Sequence, residues 1–308
     1  MNDNVKSQLA GNAACFLAYF IFGFNIVCCK NIANNGMVSP MALFCMRSIG
    51  ALLLFLIVKA LSGNREHVNR HDLWKVALAS FLGLFLTQLS FLKAITMCTA
   101  VDASIMSLLS PVMTMIVAAI VLKDRITRNG VTGLLISLAG VSFIVLKTAS
   151  VRSGADSTSI WGVLLMIVNS LSFACYVGIF KPLIQRYSVV TFMTWMFLFS
   201  SLYALPFGFK DLKSIDYAAI PSSIVLQLLF VVVFATFVSY FLIPIGQKRI
   251  KPMLVCMYSY VQPVIAMAIS LATGLDTMSW GKGIATFCVF LGVSIVNFSP
   301  KRHGKASA

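Results

Sequence analysis

Charge is what this chain has least of. Of its 308 residues, 11% are Asp, Glu, Lys or Arg, against roughly 25% in soluble proteins. Acids are scarcest: nine Asp and Glu face 24 Lys and Arg, and Glu66 is the sole glutamate. The three histidines, His67, His71 and His303, all lie outside the apolar runs. His67 and His71 have metal-ligand spacing, but no third ligand cluster accompanies them, so no metal is expected. Eight cysteines are scattered without a C-x-x-C pair, which implies no disulfide framework. Inside an apolar run each reads as a small hydrophobe. There is no G-x-x-x-x-G-K-[ST] phosphate loop, and ATP-driven work is therefore unsupported. No cofactor is called for. Acids, histidines and cysteines do not converge on one stretch, so no catalytic residues are assigned. An integral-membrane enzyme acting on lipid-linked substrates is the second reading.

What is abundant is apolar surface: 59% of the chain is hydrophobic, with a mean hydropathy of +0.92. Runs of about 20 apolar residues recur along it, each long enough to cross a bilayer. Ten are counted: 11–31, 38–60, 73–95, 99–122, 129–147, 160–180, 188–207, 222–246, 252–272 and 279–298. A lone apolar run satisfies its own backbone in lipid only as a helix, and the alternating strand pattern of a membrane barrel is absent. The expected fold class is an all-α integral membrane protein. The first run has no obvious cleavage site and reads as an uncleaved span.

The net charge of +15 does not call for nucleic acid, because the basic residues sit in short loops between spans. Sixteen fall on one side of the expected membrane and seven on the other. By the positive-inside rule both termini face the cytoplasm of a multi-pass plasma membrane protein, most simply in a bacterial inner membrane. The polar segment Thr148–Ser159 then lies outside and links a first half, 1–147, to a second, 160–308. Each half has five spans, an odd number, so the second enters the membrane the opposite way up.

The halves also match in sequence. A shift of 152 positions places Pro111 on Pro263, Ser107 on Ser259, Asp124 on Asp276 and Gly140 on Gly292. A shift of 151 places Gly11 on Gly162, Phe22 on Phe173 and Lys30 on Lys181. A proline near the middle of a span removes an amide donor and frees a carbonyl. Two such breaks at equivalent places in inverted halves point to a transporter with its site at the repeat interface. The expected architecture is ten transmembrane helices as two inverted five-helix repeats.

The run from Ala94 to Leu146, with Ser110–Pro111, the Lys123-Asp124-Arg125-Ile126-Thr127 turn and Gly140-Val141, resembles the EamA repeat. A second copy carries Gln262–Pro263, Gly274-Leu275-Asp276 and Leu291-Gly292-Val293. Phe44-Cys45-Met46-Arg47-Ser48 is similar to the same family's pattern, and Asp124 and Asp276 stand where it usually has Glu. The resemblance covers nearly the whole chain. It implies a member of the drug/metabolite transporter superfamily that exports or exchanges small metabolites, amino acids among them.

Polar residues inside spans are the candidate site. The solute-binding candidates are Tyr19, Asn25, Gln88, Ser107, Ser110, Tyr176, Tyr240, Tyr258 and Gln262, with helix breaks at Pro111 and Pro263. Their amides, hydroxyls and rings suit a small-molecule solute with polar and apolar parts. Each also suits helix–helix adhesion. Arg47 lies about nine residues, roughly 13 Å, into the second span. It either neutralises an anionic solute group or anchors structurally, with Asp102 or backbone carbonyls as partners. Asp102 is either a buried proton carrier or an acid complementing a helix N-terminus.

Overall fold

The computed structural model describes residues 3–63, 66–107, 109–121, 158–250, 258–259 and 261–275, with single positions between 131 and 139 and between 280 and 295. All regular structure among the described residues is helical. In chain order the helices are α1 (Asp3–Asn35), α2 (Pro40–Leu61), α3 (Arg70–Met97), α4 (Ala100–Ser107), α5 (Leu109–Val121), α6 (Ile160–Ile179), α7 (Lys181–Arg186), α8 (Val189–Ser214), α9 (Ser222–Arg249) and α10 (Val261–Ala272). Six of them, α1, α2, α3, α6, α8 and α9, are long and apolar enough to cross a membrane. The chain is a multi-pass membrane protein. Of the ten expected spans, the fifth and tenth lie almost wholly outside the described residues, as do Asp124, Asp276, Gly133, Gly140 and Gly292.

Helix starts are set by side-chain caps. The Ser39 hydroxyl accepts the Ala42 amide at 3.1 Å ahead of Pro40 at the first helical turn, and Asn69, Ser159 and Ser188 cap α3, α6 and α8 likewise. Such a cap contributes about 1 kcal/mol. Gly36, at φ 74°, turns the chain sharply from α1 toward α2, a left-handed conformation that favours glycine.

Two features break the regularity of the spans. Pro111 lies in α5 and Pro263 in α10, at matching places of the two halves. The stretches in which the mid-span breaks are expected include positions 108 and 260, which lie outside the described residues. The larger irregularity is one that sequence reading did not anticipate. α3 widens into a π-helical segment over Phe81–Leu86, and α9 does so over Val233–Val238. These segments lie 152 positions apart. The extra residue leaves carbonyls for side chains to take up: Thr87 Oγ1 donates to Leu82 at 2.6 Å, and its counterpart Ser239 donates to Phe234 at 3.0 Å. π-bulges of this kind collect at functional sites.

α2 and α8 pack along their lengths, while α1 lies against α9 and α10, and α6 lies against α3 and α5. Glycines permit close approach: a Cβ on Gly208 would meet Cys45 Sγ, one on Gly246 would meet Cys15 Sγ, and one on Gly83 would fall 2.6 Å from the Tyr176 ring. Small residues at helix contacts are how membrane helices gain dispersion contact without a hydrophobic driving force between them.

The two ends of the bundle are tied differently. At the end rich in basic residues, Tyr187 is the hub. Its hydroxyl donates to Asp72 at 2.8 Å and accepts the Asn69 amide, and its carbonyl accepts Lys248 Nζ at 2.6 Å. Arg186 reaches Asp72 at 2.6 Å, and Glu66 accepts the Ser188 amide at 2.9 Å. These bonds join the starts of α3 and α8 to the end of α9. At the far end, Ser39 donates to Asp211 at 2.5 Å, and Lys30 caps the carbonyls of Ile95 and Cys98.

Candidate functional site

A polar cluster sits inside the bundle where α1, α2, α3, α6 and α9 converge. Arg47 on α2 is 3% exposed; its Nε donates to Thr236 Oγ1 at 2.9 Å, and a terminal nitrogen lies 3.9 Å from Cys29 Sγ. Cys29 in turn donates to Asn25 Oδ1 at 3.5 Å. Thr236 occupies the π-helical segment of α9 and donates to the Val231 carbonyl five residues back, so the bulge itself aims the hydroxyl that holds the guanidinium.

Gln88, just past the π-helical segment of α3, is 4% exposed, and among the described residues neither of its amide atoms meets a partner in hydrogen-bond geometry. Tyr240, just past the matching segment of α9, lies near both Gln88 and Arg47. Tyr176 on α6 neighbours Tyr240, with its ring pressed on Gly83. Phe22 and Phe197 pack edge-on against Tyr240.

The cluster is symmetric in position and asymmetric in chemistry. Gln88 and Tyr240 are 152 positions apart; Asn25 and Tyr176 are 151 apart. The first half contributes amides and a cation, the second half phenols. Between them the Ser48 and Ser200 hydroxyls, also 152 apart, meet at 2.9 Å.

Four of the sequence candidates, Asn25, Gln88, Tyr176 and Tyr240, thus gather with Arg47. The others do not. Tyr19 and Tyr258 belong to a small cluster with Cys15 and Ile250 nearer the basic end. Ser110 bonds Ser170 on α6 at 3.3 Å, Ser107 donates to the Ser104 carbonyl at 2.6 Å, and Gln262 lies in α10, with its carbonyl facing Gly23. Arg47 and Asp102 do not pair with each other. Asp102 accepts Thr158 Oγ1 at 2.5 Å, while its amide donates to Thr99 Oγ1 at 3.1 Å. That is an N-terminal cap on α4 tied to the start of α6. Thr236, Cys29 and the Ser48–Ser200 pair escaped sequence reading; the 152-residue shift applied to the serines would have found that pair.

A cavity of about 280 Å³ opens toward the far end, lined by Cys29, Ile32, Val38, Leu43, Leu92 and Ile95 among others. Its floor residues Cys29, Leu43 and Leu92 each stand one helical turn from Asn25, Arg47 and Gln88 respectively. The cavity is therefore a vestibule immediately above the polar cluster.

Comparison with known proteins agrees with this architecture. The chain is 24% identical over 301 residues to the uncharacterized transporter YetK of Bacillus subtilis, covering 97% of this chain and 90% of that protein. It is 25% identical over 298 residues to the uncharacterized inner membrane transporter YicL of Salmonella typhimurium, covering 94% and 96%. A protein of known crystal structure shares the fold, with a TM-score of 0.63 at 17% identity over 94% of this chain and 96% of its own. The model of the EamA-like transporter family matches twice, over residues 9–146 and 160–298. The chain belongs to the EamA-like transporter family, and it is a membrane transporter by that membership.

Proposed function

We propose that the protein is a secondary carrier or facilitator of small metabolites, an exporter of amino acids or related solutes, working by alternating access. Two inverted five-span halves, 1–147 and 160–308 with the linker 148–159 outside and both termini cytoplasmic, rock about the line where Ser48 meets Ser200. The observation that carries this reading is the polar cluster flanked by π-helical segments at equivalent positions of α3 and α9. The packing also supports it: exchanging the halves turns the contacts of α1 with α9 and α10 into those of α6 with α3 and α5. In this conformer the vestibule is open toward the far end, and the Tyr187 network closes the basic end. Metabolite profiling of medium from cells overproducing the protein against cells lacking it tests the direction and the solute. Proteoliposome flux across the same metabolites tests transport itself, and no protein-dependent flux of any of them would reject it.

A further inference from the structure

The interior cluster holds a cation that no described acid balances. Among the described residues the ion pairs are those of Asp72 with Lys75 and Arg186, at the basic end. Of the nine acids in the sequence, the five whose side chains are described all sit at helix ends. Glu66 bonds Ser188, Asp72 bonds Tyr187, Asp102 bonds Thr158, Asp211 bonds Ser39 and Asp216 bonds Ala218. Among the described residues the hydrogen-bond partners of Arg47 are neutral, a threonine hydroxyl and a thiol. A buried charge without a counter-charge is costly in a membrane interior, and the charges found there mark solute paths.

Beside it, next to Tyr240, stands the buried Gln88 amide, whose two polar atoms meet no partner in hydrogen-bond geometry among the described residues. Guanidinium, amide and the Tyr240 hydroxyl together offer donors around one point. The group that satisfies all three and supplies the missing negative charge is a carboxylate, which arginine grips with paired N–H donors. Among the described residues no acid lies beside the cluster to receive an ammonium group. The vestibule one turn above is walled by Ile32, Val38, Leu43, Leu92 and Ile95, which suits an apolar tail.

Building on the transport reading above, we propose that Arg47, Gln88 and Tyr240 bind the carboxylate of a small solute with an apolar tail, and that an amino group is dispensable for binding. The substrate class is thus small aliphatic carboxylates, with amino acids accepted as one subset of it. Arg47 supplies the charge and Gln88 the neutral donor. The Tyr240 hydroxyl completes the set.

Thermal unfolding of the full chain in detergent tests this with three probes: 4-methyl-2-oxopentanoate, leucine, and 4-methyl-2-oxopentanamide, the uncharged isostere of the oxo acid. The oxo acid is expected to stabilise the protein at least as well as leucine, and the amide is expected to have no effect. Arg47→Gln should weaken the oxo acid's apparent affinity by about tenfold or more, the loss of a charge-assisted hydrogen bond. Gln88→Leu should weaken it less and keep the preference for acid over amide. If Arg47→Gln does not fold, the acid–amide contrast in the unaltered protein and in Gln88→Leu decides the matter. Equal stabilisation by acid and amide, stabilisation by leucine alone, or no stabilisation by any probe overturns the proposal. Proteoliposome flux separates the two levels. Flux of other metabolites without carboxylate binding removes the inference and leaves transport standing; carboxylate binding without any flux does the reverse.

Discussion

Arg47 is held by groups whose chemistry is easy to overlook. Thr236 and Cys29 lie in apolar runs, where the thiol counts as hydrophobic and a single threonine does not stand out. Only the fold brings them to the guanidinium, because the π-helical turn of α9 rotates Thr236 inward. Gln88, Asn25, Tyr176 and Tyr240 were legible beforehand, since an amide or phenol in a span stands out against its neighbours. Their grouping was not, and Tyr19, Tyr258 and the proline-flanking serines were indistinguishable from them until placed. Two predictions belong at this scale. Gly83→Val puts a branched side chain into the Tyr176 ring and is expected to cost about 1–3 kcal/mol, read as a lowered thermal midpoint with weakened solute response. Ser48→Ala and Ser200→Ala are expected to couple by about 0.6 kcal/mol in a double-mutant cycle, the average for such bonds between membrane helices. Strict additivity would mean that the two hydroxyls do not bond.

At the scale of elements, α3 and α9 are the parts with two personalities. Each runs as an α-helix, widens for six residues and resumes, and the site residues follow directly after the widening. A π-bulge changes the helical register by one residue without altering composition, so hydropathy carries no trace of it. The proline pair is legible in the sequence as equivalent positions, because a constant shift of 152 relates Pro111 to Pro263.

The Tyr187 network is the second element-level device, and it fastens the basic end. Tyr187→Phe removes the donor to Asp72 and the acceptor of the Asn69 amide, and is expected to loosen that end, seen as faster modification of a cysteine placed there. Glu66 shows the pH dependence. Partial burial would raise its carboxyl, but hydrogen bonds from the Ser188 hydroxyl and amide and from Thr191, with Lys248 nearby, hold it below the usual carboxylate range. A carboxyl lowered by folding contributes stability above its ordinary pKa and loses that contribution as pH falls through the lowered value. The thermal midpoint should therefore fall on acidification, and fall less in Glu66→Gln. An identical pH profile in the two proteins would remove Glu66 from the closure of the basic end.

On the scale of the whole molecule, the same family repeat occurs twice in the chain, and the differences between the copies matter as much as the likeness. Equivalent positions supply an amide on one side and a phenol on the other, and among the described residues Arg47 of the first half is the one buried cation. The two-fold pattern was visible in the sequence as a constant shift of 151 to 152 residues, because helix length and the placement of Pro and Gly are fixed by bilayer thickness and by helix contact. Which end stands open was not visible, since that depends on which capping and ionic contacts close first.

The account depends on a passage through the Arg47 cluster that is reached from each face in turn. Cys29, on the vestibule floor and beside Arg47, reports on that passage directly. In a variant with Cys29 as the sole cysteine, a small membrane-impermeant thiol reagent is applied separately to right-side-out and inside-out vesicles. The account predicts reaction from both faces, with Tyr187→Phe raising the rate from the basic face and lowering it from the other. Reaction from one face only, or equal changes at both, would contradict it.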